Sequence, residues 1–521
     1  MTTMTSSVQL LPSEILLVIF TMNSEMLRLE ERKFLIWKES ELGVTQRTSQ
    51  VCRTWRSLTL NSPHIWANCL DLDLLKHRKR YREQIRKRIG LAALSIRGFI
   101  DAAADFASQD PFLSFLSSLL NENWNRIRSF DVKILGCGRH HDAFWRFLQQ
   151  RNPTLQTFVM QFEGAMPREF TELDDRAPLF AGDAPSLQTF QWVIPIPLSP
   201  QTKWFSQLSE LGCKLPSLST RVENLARRVS ALWDPLSQIR GLKTLKLVNC
   251  IQENSALPIT PINLQSLQYL EISCDLRHCF QLLDSLILHP TICLNLTLTS
   301  HPLFKARIEP IASRFQCMTA AYLAAWRRPT QMNVQVTPTL FLLSFGSILP
   351  HDKHFKIEIQ TTSVCPMSSL IQSIPFGSLD EVAGLDLVIA QDTQLDQTAK
   401  SQLLSLFAQL PSITRFGPSP EALRFATSAS KNAAILPALK TLKVHGENPP
   451  AHFFNTQALA NCSTFLSSRK QAGQPQIETL DLRFVGAKAN MVDLRDLDGL
   501  KIIKNINGRL VEYIHGMAQL S

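Results

Sequence analysis

The feature that most constrains this chain is a short apolar pattern that recurs along most of its length. The pattern reads apolar-x-x-apolar-x-apolar; it starts at Ile127, again 28 residues later at Leu155, and again 32 residues later at Leu187. Alternating apolar residues in so short a segment predict a strand. Clear examples are Ile127/Phe130/Val132, Leu155/Phe158/Met160, Leu187/Phe190/Trp192, Leu242/Leu245/Leu247, Leu267/Leu270/Ile272, Leu439/Leu442/Val444 and Ile477/Leu480/Leu482; weaker ones are Leu94/Ile96, Leu296/Leu298, Ile357/Ile359 and Leu385/Leu387.

Stretches with helical periodicity separate these predicted strands. The clearest are residues 221–239, 277–289, 399–410 and 456–470. Strand–helix units with a period of 25–32 residues are typical of leucine-rich repeats, in which neighbouring units bury a core that no single unit can bury. The longer interval from Leu187 to Leu242, 55 residues, is close to two such steps.

We therefore predict an α/β fold in which residues 91–521 form a leucine-rich-repeat-like solenoid of parallel strands with outer helices. The unit "LKTLKLVNC" places Cys250 where such repeats carry the Asn or Cys that bonds adjacent turns. The other units lack that residue, so the array is degenerate, and residues 317–380 fit the period poorly. An ordinary α/β parallel sheet is the alternative, because strand–helix alternation predicts it equally.

The N-terminal residues 8–70 have a different, purely helical character. Pro12 suits the first turn of a helix, and Glu14 places negative charge at the positive end of its dipole. The first helix carries one wide apolar stripe, formed by Leu11, Ile15, Leu16, Ile19 and Phe20.

Two further helices are predicted before residue 70. A charged stretch, residues 25–43, is predicted to be a helix that ends at Gly43. Val51, Trp55 and Leu58 then share one helical face, and Ser62-Pro63 ends that helix. A unit of about 60 residues has difficulty covering its own apolar faces, so the stripe indicates a partner or packing on the next domain, with a simple core stripe as the alternative.

Three segments, taken together and in order, resemble an F-box of the type found in fungal F-box families. They are LPxEIL-x-x-IF, VCRxWR and SPxIW. The resemblance covers about a tenth of the chain. The residues that carry it are Leu11, Pro12, Glu14, Ile15, Leu16, Ile19 and Phe20, then Val51, Cys52, Arg53, Trp55 and Arg56, then Ser62, Pro63, Ile65 and Trp66.

The resemblance implies a non-catalytic substrate-recognition subunit of an SCF-type cullin–RING ubiquitin ligase. In that family the F-box docks a Skp-type adaptor, which connects to a cullin, while the rest of the chain holds a target protein. The adaptor-binding residues it implies here are Leu11, Pro12, Glu14, Ile15, Leu16, Ile19, Phe20, Val51, Cys52, Trp55, Ile65 and Trp66.

Within that set we expect Val51, Trp55 and Trp66 to build and present the docking face, since large apolar anchors dominate protein interfaces. Arg53 and Arg56 are expected at its rim. Cys52 is expected to be a small buried residue.

The sequence departs from the family pattern in two places. Thirty residues separate Phe20 from Val51, so the charged helix is an insertion, and polar residues 45–48 replace the usual leucines. The rival hypothesis is therefore an interaction scaffold without a ligase connection.

The net charge of +10 is concentrated in residues 76–88, KHRKRYREQIRKR. That segment holds eight Lys/Arg and one Glu, which is +7, so the rest of the chain sums to +3. We interpret residues 71–90 as a basic linker or helix. Nuclear import and nucleic-acid contact are the alternatives; base stacking is poorly served because Tyr81 is the only aromatic in the segment.

Composition gives little support to other classes of function. The 11 cysteines include no Cys-x-x-Cys, and we find no P-loop, GxSxG or HExxH motif. The best metal or nucleophile candidate, Cys137, His140, His141 and Asp142, is interpreted as a solvated loop. No cofactor, metal or membrane span is expected, and with no secretory signal recognised we predict a cytoplasmic or nuclear protein.

Overall fold

The computed structural model describes most of the chain in separate stretches. These are residues 11–25, 40–101, 111–135, 146–163, 178–192, 202–214, 225–251, 258, 260–289, 291–300, 308–325, 329–346, 355–361, 367–372, 374, 379–393, 395–430, 435–444, 456–483, 500–506 and 509–514. The segments 136–142 and 26–39, on which a metal candidate and most of the predicted charged helix fall, lie outside the described residues.

These stretches contain both helices and strands. The helices are α1 (Ser13–Ser24), α2 (Glu41–Thr48), α3 (Arg53–Leu60), α4 (Pro63–Ala67), α5 (Leu72–His77), α6 (Lys79–Arg88), α7 (Pro111–Asn123), α8 (Leu225–Ser237), α9 (Leu276–Asp284), α10 (Ile308–Ala325), α11 (Met367–Gln372), α12 (Gln397–Ala408), α13 (Pro420–Ser430) and α14 (Thr456–Gln471). The strands are β1 (Leu70–Asp71), β2 (Leu94–Asp101), β3 (Ile127–Leu135), β4 (Thr157–Glu163), β5 (Thr189–Trp192), β6 (Glu210–Lys214), β7 (Thr244–Ile251), β8 (Ile262–Leu264), β9 (Tyr269–Asp275), β10 (Leu286–Leu288), β11 (Cys293–Ser300), β12 (Gln331–Thr337), β13 (Leu340–Gly346), β14 (Phe355–Thr361), β15 (Gly384–Ile389), β16 (Arg415–Pro418), β17 (Thr441–Lys443), β18 (Thr479–Leu482), β19 (Lys501–Ile506) and β20 (Arg509–Ile514).

The chain divides into two compact units. The N-terminal unit comprises residues 1–267 and 281–288, and the C-terminal unit comprises residues 268–280 and 289–521. The division lies inside the range 91–521 that the sequence predicts as one array. The fold class is α/β, with extensive and mostly parallel strand pairing and helices, as predicted.

In the N-terminal unit, seven strands pair in chain order and in parallel, from β1 to β7. The short strands β8 and β10 form a separate parallel pair. The interval of 55 residues between Leu187 and Leu242 contains β6, so it does correspond to two strand-to-strand steps. The sequence pattern missed β6 because this strand is short and has Gly212 at its centre.

The register of these strands builds a continuous apolar column. Ile96, Phe130, Phe158, Phe190, Leu211 and Leu245 are successive partners across β2 to β7, and all are buried. The rings of Phe130 and Phe158 stack at 5.6 Å, and those of Phe158 and Phe190 at 5.8 Å. Neighbouring parallel strands lie about 4.8 Å apart. Side chains at equivalent positions are therefore close enough for aromatic rings to stack.

Single 3₁₀ turns supply a second aromatic layer to this column. Phe147, in the turn Arg146–Gln149, lies 5.9 Å from Phe130. Phe180, in the turn Leu179–Gly182, lies 5.2 Å from Phe158. Trp204 extends the layer, 5.0 Å from Phe190. The described parts of the connections between β3 and β6 thus contribute aromatic side chains to the core.

The C-terminal unit interrupts the parallel order once in its interior. Strand β9 pairs in parallel with β11, and β11 with β14, but β14, β13 and β12 then run antiparallel. Parallel pairing resumes from β12 through β15, β16, β17 and β18 to β19, and β20 pairs antiparallel with β19. This meander lies within residues 317–380, which fit the repeat period poorly because two of its connections are hairpins.

Most helix predictions are confirmed in the described residues. Helices α8, α12 and α14 fall on three of the four predicted stretches. The fourth, residues 277–289, is helical only in α9, and Leu286–Leu288 form a strand instead. Gly43 lies inside α2 rather than at a helix end, because Ser40 caps that helix at its start.

Removal of one central ring tests the aromatic column. Phe158→Ala should lower the free energy of unfolding by about 3–5 kcal/mol, since it leaves a cavity between two stacked rings. Urea denaturation of the full chain, followed by tryptophan fluorescence, measures this. Phe158→Leu should cost less, and Leu91→Ala, at a side chain that is 94% exposed, should change stability by less than about 0.5 kcal/mol. An unchanged midpoint for Phe158→Ala would contradict the column.

Candidate protein-docking site

Helix α1 is apolar on two opposite sides. Its inner side places Leu16 and Phe20 in a small core with Ile65 of α4. Its outer side is solvent-exposed and follows the spacing i, i+3, i+4, i+7 of one helical face. We define the outer stripe as Ile15 (48% exposed), Val18 (56%), Ile19 (38%) and Met22 (66%).

The inner side is held by contacts with α3 and α4. The rings of Phe20 and Trp55 meet edge to face at 4.9 Å. The hydroxyl of Thr21 lies 3.2 Å from Nε2 of His64. Since these contacts use one side of α1 only, they fix the outer stripe toward solvent.

The start of α1 follows from its sequence. The helix begins at Ser13. Pro12 is therefore its N-cap and not, as predicted from the sequence, a residue of the first turn. The carbonyl oxygen of Pro12 accepts the first bond of the helix, from the N–H of Leu16, at 3.1 Å. Glu14 lies in the first turn, as expected from the helix dipole.

Helices α2 to α4 form the rest of this helical region. The N–H of Trp55 donates to the sulfur of Cys52, which caps α3. The indole N–H of Trp66 donates to the carbonyl oxygen of Thr59 at 2.8 Å, and the guanidinium of Arg88 lies over its ring. Trp66 is fully enclosed, so it fixes α4 against α3 and α6.

The residues predicted to bind an adaptor fall into three groups. Those on the surface are Leu11, Pro12, Glu14, Ile15, Ile19 and Val51. Cys52 and Trp55 are half-buried, and Leu16, Phe20, Ile65 and Trp66 are buried. Buried side chains cannot contact a partner in this state, so the last four build the docking unit rather than present it.

This placement corrects the roles expected of residues in the second and third motifs. Val51 is 62% exposed and remains a candidate anchor, whereas Trp55 turns toward Phe20 and Trp66 is enclosed. Cys52 is half-buried and has a capping role. Arg53 and Arg56 are exposed, as expected of a rim, although Nε of Arg56 donates to the carbonyl oxygen of Ser49.

Two exposed residues of the outer stripe were missed by the sequence analysis. Val18 and Met22 lie three and seven residues after Ile15, so helical periodicity could have found them. The F-box motif does not include these two positions, so the prediction from the motif left them out.

A buried ion pair ties the helical region to the first strands. A terminal nitrogen of Arg97 on β2 lies 2.6 Å from a carboxylate oxygen of Glu41 on α2, and both side chains are largely buried. The register places Asp71 of β1 and Asp131 of β3 on either side of Arg97. These two acidic residues thus come from the strands that flank β2.

Strands β1 and β2 bring α5 close to the sheet. Asp71 caps α5 by accepting from the N–H of Asp73, and Asp73 in turn accepts from the N–H of Phe99 on β2. Gly98 has φ of +141°, and a Cβ there would lie 2.8 Å from Cβ of Leu72. A residue without a side chain is required at this close approach.

The basic segment is largely a folded, packed helix. In α6, Tyr81, Arg82 and Ile85 are buried, and Nε of Arg82 donates to the carbonyl oxygen of Leu75 at 2.7 Å. Arg86 forms an ion pair with Glu122. Residues 72–77 and 79–88 are thus helical, and several of the arginines serve the fold instead of a free cationic surface.

The described part of the chain offers no cluster of metal-binding side chains. There, no group of three or more His, Cys, Asp or Glu side chains could hold a metal ion. Six of the nine described cysteines are buried, and burial raises the pKa of Cys69 and Cys462 to about 12. Such thiols stay protonated and are poor nucleophiles.

Cys250 forms a hydrogen bond to the neighbouring strand. Its thiol donates to the backbone carbonyl oxygen of Cys213 on the neighbouring strand, at 3.8 Å.

None of the described helices is long and apolar enough to traverse a lipid bilayer.

Comparisons with known proteins add no relative: no family model matches the sequence, and no curated protein matches it.

The buried ion pair gives a testable stability effect. Glu41→Gln should lower the free energy of unfolding of the N-terminal unit by about 3–5 kcal/mol, because it leaves the Arg97 charge without its bonded carboxylate. Hydrogen exchange of α2 and β2 amides measures it. The double variant Glu41→Leu/Arg97→Met removes both charges and should be closer in stability to the wild type. If Glu41→Gln destabilises the protein less than the double variant does, the ion pair does not couple the two residues.

The basic helix gives a second test. Arg82→Gln should cost about 1–3 kcal/mol of stability, since it removes the charged donor of the hydrogen bonds to the carbonyl oxygens of residues 75 and 76. Thermal unfolding measures this. Lys87→Gln, at an exposed position of the same helix, is the matched control and should leave the midpoint unchanged; equal effects would show that α6 is merely a solvated helix.

Proposed function

We propose that the protein is the substrate-recognition subunit of an SCF-type cullin–RING ubiquitin ligase. The helical region would act as an F-box that docks a Skp-type adaptor and, through it, a cullin. The strands that follow would bind a target protein. The proposal rests on the ordered motifs of residues 11–66 together with the exposure of the outer stripe.

The outer stripe is the observation that carries the proposal. Four large apolar residues on one exposed helical face form a patch of the kind that marks protein–protein contacts. The opposite side of α1 already provides a core, so the fold does not need the stripe for its own stability. A helix that is apolar on both sides indicates a surface that another polypeptide covers.

The mechanism is proximity and requires no catalytic residue in this chain. The adaptor would hold the ligase at α1 while the strand region holds the target. Tethering raises the effective concentration of target lysines near the ubiquitin donor. The Glu41–Arg97 pair and the β1–β2 pairing support such a role, because they fix the helical region to the first strands.

For the target-binding part we propose the leucine-rich-repeat-like solenoid that the sequence predicts. Support comes from the in-register parallel pairing of β1 to β7 and from the thiol bond of Cys250 between adjacent strands. The antiparallel strands β12 to β14 are a local departure from that pattern.

Capture of a purified Skp-type adaptor by the full chain tests the proposal. The variant Ile15→Asp/Met22→Asp changes only exposed side chains, so it should fold normally and lose capture by at least about tenfold, as expected for interface anchors. Val51→Asp should reduce capture as well. Affinity is measured by surface plasmon resonance.

The control is Leu404→Asp, which adds one carboxylate, as Val51→Asp does, at an exposed helical leucine (38% exposed) of the C-terminal unit. It should bind the adaptor like the wild type. If the wild-type chain is folded yet does not bind the adaptor, the scaffold hypothesis replaces the ligase; if the stripe variant binds equally well, the docking face is elsewhere.

A further inference from the structure

The antiparallel strands of the C-terminal unit create a surface with a different character from the parallel strands. On β13, Phe341, Leu343 and Phe345 are buried, and Phe315 of α10 packs against Phe341 at 6.2 Å. Leu340 and Leu342 alternate with these residues and are half-exposed. Because successive side chains of a strand point to opposite faces, the two leucines lie on the face away from α10.

Polar side chains border the two leucines on both sides. The register places Glu358 of β14 and Gln335 of β12 beside Leu342. Gln360 and Thr337 occupy the same positions beside Leu340. We define the leucine strip as Leu340 and Leu342, and the strip face as this side of β9, β11, β14, β13, β12 and β15.

The strip face is acidic. Its charged side chains in these six strands are four carboxylates, Glu271, Asp275, Glu358 and Asp386, and one amine, Lys356. The sum is therefore −3. The next strand contributes a single cation, Arg415, beside Gly384, and His278 lies 3.5 Å from Asp275, so the negative sign holds with these neighbours included.

Glu358 is the carboxylate closest to the leucine strip and is held in a fixed orientation. It accepts a hydrogen bond from the amide nitrogen of Gln360 at 2.6 Å and pairs with Lys356 at 2.8 Å. Burial opposes ionisation, but these bonds outweigh it and lower the pKa of Glu358 below its ordinary value. The group is therefore negative at neutral pH.

These features select one kind of ligand. Nucleic acids and anionic membranes are repelled by a negative face. Leu340 and Leu342 are two residues apart on one strand, about 7 Å, which equals the spacing of alternate side chains in an extended chain. An extended polypeptide could place apolar side chains against the leucines and basic side chains against the flanking carboxylates.

We propose that the strip face binds an extended protein segment in which Lys or Arg residues flank aliphatic or aromatic residues. The strip-face proposal rests on the proposed function in one respect: it takes the bound segment to be part of the ligase substrate. The binding itself does not depend on the adaptor.

Fluorescent nonapeptides and the full-length protein test the proposal. The probe peptide is Gly-Arg-Ser-Leu-Ser-Leu-Ser-Arg-Gly, whose basic and apolar side chains share one face of an extended chain, and two matched peptides replace either its basic residues with Glu or its leucines with Ser. Fluorescence anisotropy should show binding of the probe, weakening with added salt. The Ser peptide should bind roughly tenfold more weakly, and the Glu peptide should not bind.

Variants assign the binding to the strip face. Glu358→Gln and Glu271→Gln keep side-chain size and should each weaken probe binding roughly two- to fivefold. Leu342→Ser should weaken it roughly tenfold, with circular dichroism to confirm folding. Glu421→Gln, on α13, removes a helical carboxylate of the same unit that pairs with Arg424 and should leave binding unchanged.

The outcomes separate the two proposals. Equal binding of all three peptides, unchanged binding in the Gln variants, or no binding of the probe would overturn the strip-face proposal. Adaptor capture is measured on the same preparations. Loss of adaptor capture with retained probe binding would remove the ligase role and leave the strip-face proposal intact.

Discussion

Parallel strand register is the constraint on which the N-terminal unit depends. Each step from β2 to β7 places an apolar residue beside its predecessor, so Phe130, Phe158 and Phe190 stack as one column. A shift of one residue in any strand would turn its apolar residues to the opposite face. The 3₁₀ turns reinforce the register, because Phe147 and Phe180 pack only on correctly placed rings.

The helical region is part of this arrangement and not an independent appendage. Strand β1 continues the sheet by one short pair, and Arg97 joins the second strand to α2. Trp66, enclosed beneath Arg88, holds α4 against α6. The outer stripe of α1 is thus presented from a framework whose position relative to β2 is fixed by buried contacts.

Sequence patterns predicted the strands that follow the repeat and missed those that do not. All eleven apolar patterns coincide with strands, from β2 to β18. Strand β12 was missed although Met332, Val334 and Val336 alternate strictly. Its apolar residues do not follow the apolar-x-x-apolar-x-apolar spacing of the repeat. The hairpin of β19 and β20 was also missed, although Asn507-Gly508 between them is a recognised hairpin turn sequence.

The candidate docking site was predictable in position but not in detail. Motif order placed α1, α3 and α4 correctly, yet it could not tell outward from inward side chains, since both sides of α1 are apolar. The guanidinium of Arg88 lies over the ring of Trp66. The sequence analysis treated Arg88 only as part of the basic segment, so it did not predict this contact. The leucine strip was beyond reach because it depends on antiparallel register between β12, β13 and β14.

The two-sided α1 has a consequence for the free chain. Val18 and Met22 remain hydrated unless another surface covers them, and a second copy of the same helix is the nearest available cover. Uncomplexed molecules would then self-associate as their concentration rises.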